Sequence, residues 1–141
     1  MEALGRLMAV LTAAVSLVLF LFFYQSASVQ WQKNETVYSI GKAYAENILY
    51  TKTVLDTDWK RFQEKLNRLG EYETELTIYE RKRYEGDNGR VYLFEEWGGP
   101  GEKELSAGSY VRLVVREKPR GKLAVFLYGG GCTVIAGGRI A

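Results

Sequence analysis

The first two dozen residues of the chain carry an uninterrupted apolar segment. Between Leu7 and Tyr24 no side chain is charged, and leucine, valine, alanine and phenylalanine predominate. An α-helix rises about 1.5 Å per residue, so this segment would be about 27 Å long, close to the hydrocarbon thickness of a bilayer. The pattern predicts a single membrane-spanning helix, whose anchor residues are Leu7, Val10, Leu11, Val15, Leu17, Val18, Leu19, Phe20, Leu21, Phe22, Phe23 and Tyr24.

The residues that flank this segment favour one orientation in the membrane. Tyr24 and Trp31 lie where interfacial aromatic residues are common, and Arg6 adds positive charge beside the amino terminus. We therefore expect a single-pass protein with a cytoplasmic N-terminus and an extracytoplasmic C-terminal domain. Two alternatives remain open: a secretory signal that is cleaved near residues 26–28, and a buried helix of a soluble protein.

From Val29 onward the sequence becomes polar but keeps a helical period. No proline occurs between residues 1 and 99, so the membrane helix is expected to continue directly into this amphipathic helix. Its apolar residues recur at steps of three and four and would share one face. We interpret this face as a surface that packs on partner helices, formed by Val37, Ile40, Tyr44 and Ile48, with Thr51 on the same stripe.

A short second helix follows. Asp56 or Thr57 is a suitable N-cap, because either side chain can accept a hydrogen bond from a free amide of the first turn. Gly70 is suitably placed as the C-terminal stop. The apolar stripe of this helix is expected to lie in the core, and it consists of Trp59, Phe62, Leu66 and Leu69.

After Gly70 the hydrophobic period changes to two, which is typical of strands. The turn signal Gly86-Asp87-Asn88-Gly89 joins the first two strands as a hairpin. Strands that follow helices indicate an α+β fold, with the helices on one face of an antiparallel meander of four to five strands. We expect a membrane anchor with its flank at residues 1–28 and one extracytoplasmic α+β domain at 29–141, with strands at 71–84, 90–97, 109–118, 122–128 and 132–136.

Composition narrows the chemistry that the domain can perform. The chain has no histidine and a single cysteine, Cys132, which excludes an imidazole acid–base site, an intrachain disulfide and a thiolate zinc cluster. The net charge of +2 is too small to suggest a nucleic-acid partner. Glu95 and Glu96 would point to opposite faces of a strand, which disfavours a catalytic pair. We therefore predict a protein that is not an enzyme, with no catalytic residue, cofactor or metal.

Three smaller motifs have simple structural interpretations. The glycine runs 129–131 and 137–138 lack the spacing of a phosphate loop and are interpreted as a turn and a flexible tail. The charged stretch 80–83 is interpreted as a solvated strand edge protected by its charge, with contact to anionic lipid or wall polymer as the alternative. Cys132 is expected to be a small buried hydrophobic residue.

A helix end leads into a charged, tyrosine-rich strand, and a later strand opens with a similar short motif. The residues of these two motifs are Phe62, Leu66, Leu69, Gly70, the strand 72–78, Leu105, Gly108, Tyr110 and Val111. In these motifs the chain is similar to TadE-like proteins of Gram-positive Tad pilus loci, and the order of its elements resembles that of pilins and pseudopilins. One position departs from pilin-like precursors: the fifth residue after Gly5 is Val10 and not glutamate, which favours a minor or accessory component.

The resemblance implies a minor pseudopilin-like structural component of a bacterial pilus or secretion apparatus. Its expected partners are membrane lipid and other subunits of that apparatus, without nucleic acid. The alternative is a membrane-tethered or secreted domain that binds an envelope ligand through its tyrosine-rich sheet.

Overall fold

The computed structural model describes residues 1–97, 101–118, 121–123 and 131–141 of the chain. They form an α+β fold in which a long N-terminal helix and a short second helix precede an antiparallel sheet, which confirms the predicted fold class. In chain order the elements are α1 (Glu2–Thr51), β1 (Thr53–Val54), α2 (Asp56–Asn67), β2 (Tyr72–Gly86), β3 (Gly89–Trp97), β4 (Lys103–Glu104), β5 (Tyr110–Glu117) and β6 (Thr133–Arg139).

Helix α1 runs without a break from the apolar segment into the domain, as predicted. It has 50 residues, which corresponds to a length of about 75 Å. The helix ends at Lys52, whose backbone is left-handed with φ 57°, and the Lys52 amide donates a hydrogen bond to the Ile48 carbonyl oxygen at 2.8 Å. This bond satisfies one of the last free carbonyl groups of the helix.

Helix α2 starts without the predicted side-chain cap. The cap position is Leu55, which is extended and makes no side-chain cap bond, so the prediction of Asp56 or Thr57 as N-cap is wrong. Asp56 is instead the first helical residue, and its Oδ2 lies 3.1 Å from Nζ of Lys60 one turn later. A carboxylate in the first turn is favourable there because it faces the positive end of the helix dipole.

The main sheet has the strand order β3-β2-β5-β6, which differs from a simple meander. Strand β2 has 15 residues and β5 has 8, so β2 is long enough to pair with two neighbours along different parts of its length. Residues 72–79 of β2 pair with β5, and residues 78–86 pair with β3. The charged stretch 80–83 therefore has a strand on one side only in the described structure.

The C-terminal strand is longer than expected. Residues 137–138 belong to β6, which pairs with β5, so the prediction of a flexible tail is wrong. Gly137 has φ 144°, and a Cβ there would lie 1.9 Å from the carbonyl oxygen of Val111, so only glycine fits this close approach. The predicted strand 122–128 falls largely outside the described residues; Lys122 and Leu123 have helical backbone conformation. Of the predicted glycine turn, residues 129 and 130 also lie outside them.

Both helices lie on one face of the main sheet and enclose the core with it. Strand β5 directs Val111, Leu113 and Val115 toward the helices, and all three are buried. Helix α1 meets them with apolar side chains on the stripe that includes Val37 and Ile48. Burying one such side chain contributes about 1.5–3 kcal/mol, so this layer accounts for much of the stability of a small domain.

Candidate functional site

The N-terminal half of α1 is an exposed apolar surface. The predicted anchor residues are all exposed and make no contribution to the core of the described chain. The helix is long and apolar enough to cross a membrane, and none of its most apolar window is buried inside the protein. A continuous apolar surface of this size marks a site of contact with lipid or with other proteins, because water solvates it poorly.

The predicted partner-helix face is occupied inside the chain itself. Val37, Tyr44 and Ile48 are buried in the core, and Ile40 packs partly against it. The helix approaches the sheet closely at Gly41, where an added Cβ would lie 3.6 Å from Cγ1 of Val134. The prediction of a free partner face is therefore wrong, since the inner face of the sheet needs these same apolar side chains as its cover.

A polar-rimmed groove lies between α1 and α2. Tyr44 and Phe62 form its aromatic wall, with ring centroids 4.5 Å apart and planes at 13°. Burial, and secondly the charge of Asp58, raise the pKa of Tyr44 to about 12. The groove encloses about 310 Å³ and is lined by Ser39, Ile40, Ala43, Tyr44, Asn47, Asp58, Arg61, Phe62 and Lys65.

Sequence reasoning missed the polar side of this groove. Asp58, Arg61 and Lys65 recur at steps of three and four along α2, so they share one face of the helix. That spacing was visible in the sequence. The prediction for α2 named only its apolar stripe and assigned no role to these charged residues. In the described structure they form a charged rim that faces the domain half of α1.

The outer face of the β2–β3 hairpin combines arginine with aromatic rings. The guanidinium carbon of Arg81 lies 3.7 Å from the ring centroid of Tyr92, which is a cation–π contact. Phe94 and Tyr110 meet edge to face, with centroids 6.1 Å apart. The Arg81 amide also donates to Oγ of Ser109 at 3.3 Å, which ties the hairpin to the loop before β5.

The opposite face of the hairpin carries an ion pair with a tyrosine. Lys82 contacts Glu95, and Tyr84 Oη donates to Glu95 Oε1 at 2.8 Å. The hydrogen bond from Lys82 lowers the pKa of the Glu95 carboxyl, and the bonds to Glu95 raise the pKa of Lys82 and of Tyr84. At neutral pH Lys82 and Glu95 are therefore charged and Tyr84 is a neutral hydrogen-bond donor, so the three form a structural contact on the surface.

Cys132 lies just before β6 and is half-buried, which is less than predicted. Its amide donates to Oε2 of Glu117 at 3.2 Å. Burial, and secondly the charge of Glu117, raise the pKa of the Cys132 thiol. A thiol whose pKa is raised is mostly protonated at neutral pH and reacts slowly as a nucleophile.

No family model, curated protein or solved structure matches the chain. The assignment of function therefore depends on the residues and their geometry.

Proposed function

We propose that the chain is a membrane-anchored, pseudopilin-like structural component of a bacterial pilus or secretion apparatus. One observation carries the proposal. A single unbroken helix of 50 residues is apolar and exposed in its first half, and is built into the core of an antiparallel α+β domain in its second half. The sequence pattern shared with TadE-like proteins agrees with this architecture.

The continuity of α1 supports a role in assembly. The helix joins anchor and domain without a loop, so a movement or contact of the anchor is transmitted directly to the domain. Exposed small residues, Ala9 and Ala13, lie one turn apart on the apolar half. Small residues allow close approach of helices in a membrane, where apolar burial alone does not drive association.

Membrane insertion is tested first. The double variant Val15→Arg/Val18→Arg places two charges in the apolar half, and we expect it to leave the membrane fraction after alkaline extraction. The matched control Thr36→Arg/Ala43→Arg adds the same charge at exposed positions of the domain half and should remain in the membrane. If both double variants stay in the membrane, the apolar half is not the anchor.

The assembly role is tested in cells with the intact pilus or secretion locus. A photo-crosslinking residue at Ala13 should capture other subunits of the apparatus, and the same residue at Tyr50, which is exposed at the far end of α1, serves as the control position. Deletion of the gene should impair filament assembly or secretion. Normal assembly in the deletion strain, with no subunit captured at Ala13, would contradict the proposal.

A second candidate function is recognition of an envelope ligand by the hairpin. It is favoured by the contact of Arg81 with Tyr92 and by the exposed ring of Phe94, since arginine–aromatic surfaces suit anionic polymers and sugars. Full-length protein in detergent micelles would be tested on purified wall polymer. Binding that is lost in Tyr92→Ala and kept in Tyr50→Ala would favour this function over the structural one.

A further inference from the structure

Strand β3 lies at one edge of the main sheet. Within the described part of the chain it pairs with β2 alone, over residues 89–97. The side chains of residues 92–96 are exposed on both faces of the strand, and Tyr92, Leu93 and Phe94 have exposed fractions of 45%, 51% and 52%. The outer side of β3 therefore presents backbone amide and carbonyl groups beside which no other described strand lies. Such an edge is a template for pairing with a further strand.

The devices that usually prevent edge pairing are absent from β3. Natural edge strands are often blocked by proline, by lysine or by a bulge. Strand β3 contains no proline and no lysine, and its pairing with β2 runs in one unbroken register. Of its three charged residues, Glu95 contacts Lys82 on the opposite face of the hairpin. Arg90 and Glu96 form no ion pair with another described residue.

The sequence of β3 is complementary to itself. Arg90 and Glu96 lie on the same face, three residues before and three residues after Leu93. Opposite residues of an antiparallel pair share a face and contact each other. When two copies of β3 pair antiparallel with Leu93 opposite Leu93, Arg90 of each copy is opposite Glu96 of the other, and Tyr92 is opposite Phe94. With Tyr92 at the centre, Arg90 would instead be opposite Phe94, so the ion pairs favour the register centred on Leu93.

We propose that the protein forms a two-fold dimer in which β3 pairs antiparallel with β3 of a second copy, centred on Leu93. The dimer goes beyond the proposed function, which does not require it. Pairing would join the two four-stranded sheets into one continuous sheet, with the helices of both copies on the same face. Two-fold symmetry makes each contact occur twice, so the dimer contains two Arg90–Glu96 pairs and two Tyr92–Phe94 pairs.

The direction of β3 determines how the two anchors are placed. Strand β5 runs antiparallel to α1, because Glu117 lies beside Lys33 and Val115 lies beside Gly41. Strands β3 and β5 both pair antiparallel with β2, so β3 also runs antiparallel to α1. In the dimer the two α1 helices would therefore point in opposite directions. Copies with the same orientation in one bilayer could not form it, whereas copies in two facing bilayers could.

The first test measures the oligomeric state of the full chain in detergent micelles by sedimentation equilibrium. We expect a reversible dimer. Arg90→Glu and Glu96→Arg each place like charges opposite one another, and each should raise the Kd of the dimer at least about tenfold. The double variant Arg90→Glu/Glu96→Arg restores opposite charges and should return to within about threefold of the natural protein. The matched control is Arg112→Glu, which makes the same change of charge at an exposed position of β5 and should leave the Kd unchanged.

Cysteine cross-linking tests the register. In a Cys132→Ser background, Leu93→Cys places the two thiols at the two-fold axis. Opposite Cα atoms of an antiparallel pair are about 4.5–5.5 Å apart, which suits a disulfide. Asn88→Cys in the hairpin turn is the control, because its two copies would be ten strand positions apart, or about 34 Å. We expect a disulfide-linked dimer for Leu93→Cys and none for Asn88→Cys.

Vesicles that carry the full chain test the orientation of the anchors. They should cluster, because copies on facing surfaces can pair. Clustering should be lost in Arg90→Glu and regained in the charge-swapped double variant. A dimer in micelles without clustering of the vesicles would overturn the opposed orientation.

The remaining outcomes separate the dimer from other uses of this edge. A natural protein that is monomeric at every concentration overturns the dimer and leaves the edge to a strand of another protein. A dimer that Arg90→Glu leaves intact, or equal cross-linking at 93 and 88, shows association elsewhere, such as through the apolar half of α1, and overturns pairing through β3. Circular dichroism and a cooperative thermal transition establish that each variant is folded.

Discussion

The ring of Tyr44 in α1 stacks on the ring of Phe62 in α2, with the centroids 4.5 Å apart and the planes at 13°. Trp59 joins the pair, at 5.8 Å from Tyr44 and 5.6 Å from Phe62. The three rings hold α2 against the domain half of the long helix. Because Trp59 and Phe62 cover Tyr44, this face of α1 is not open to partner helices. Each aromatic pair contributes about 0.5–1.5 kcal/mol in addition to the effect of the apolar area that it buries.

Alkaline pH should destabilise the domain through Tyr44. The pKa of Tyr44 is raised by burial, and secondly by Asp58, to about 12 in the folded protein, above the ordinary value of 10.0. The folded state holds the Tyr44 proton more tightly than the unfolded state. The contribution of this difference to the free energy of unfolding is therefore fully present below pH 10 and is lost as the pH rises toward 12. The loss in the free energy of unfolding is expected to reach about 2–3 kcal/mol.

The measurement compares Tyr44→Phe with the exposed control Tyr50→Phe over this pH range, with the chain in detergent micelles. The Tyr44→Phe curve should be flatter between pH 10 and 12, whereas Tyr50→Phe should follow the natural protein. Below pH 10, Tyr44→Phe should also be more stable by about 1 kcal/mol, because the buried hydroxyl has no hydrogen-bond partner among the described residues. Parallel curves for all three proteins would show that Tyr44 does not titrate as stated.

Gly41→Ala should stabilise the protein. Glycine in the middle of a helix costs about 1 kcal/mol relative to alanine. A Cβ at this position would meet Cγ1 of Val134 at 3.6 Å and side-chain carbons of Leu113 and Val115 at 3.9 Å, which are ordinary contacts. We expect a gain of about 0.5–1 kcal/mol in the free energy of unfolding, measured by thermal denaturation. Gly41→Leu serves as the contrast, and it should be destabilising because the sheet leaves no room for a larger side chain.

Local pattern was enough to predict the elements of this chain. The apolar run of α1, the helical spacing of Phe62 and Leu66 in α2, and the alternation of β5 depend on neighbours within one or two turns. The hairpin of β2 and β3 follows from the glycines at 86 and 89. Each of these features is confirmed in the structure.

Contacts between residues that are distant in sequence determine the features that were left open or predicted wrongly. The stripe of Val37, Tyr44 and Ile48 suits a partner helix and an internal sheet equally well, and nothing local distinguishes the two. The order β3-β2-β5-β6 depends on which half of the long β2 each neighbour contacts. The pairing of 137–138 depends on the backbone of Val111, which is distant in sequence.

Gly137→Ala should be strongly destabilising. The backbone at Gly137 has φ 144°, and its Cβ would overlap the carbonyl oxygen of Val111 at 1.9 Å, so β6 would have to move away from β5. We expect a loss of at least about 2 kcal/mol in the free energy of unfolding, with early exchange of the β5 and β6 amide hydrogens. Gly86→Ala is the matched control, because a Cβ there would come no closer than 3.9 Å to the carbonyl oxygen of Gly89. Equal stability of the two variants would contradict the close approach.

Lys33→Met should destabilise the domain more than Lys42→Met, although both lysines lie on α1 and both form an ion pair. The partner of Lys33 is Glu117, whose side chain is only 5% exposed, whereas the partner of Lys42 is Glu46, whose side chain is 64% exposed. Removing Lys33 takes one favourable charge contact away from a nearly buried carboxylate, which costs about 1–3 kcal/mol, whereas an exposed pair contributes about 0–1 kcal/mol. Chemical denaturation of the full chain in micelles gives both values. The double variant Lys33→Met/Glu117→Gln removes the carboxylate charge together with the lysine, so it should recover part of the loss. If Lys33→Met is as stable as Lys42→Met, the ion pair does not hold the helix against the sheet.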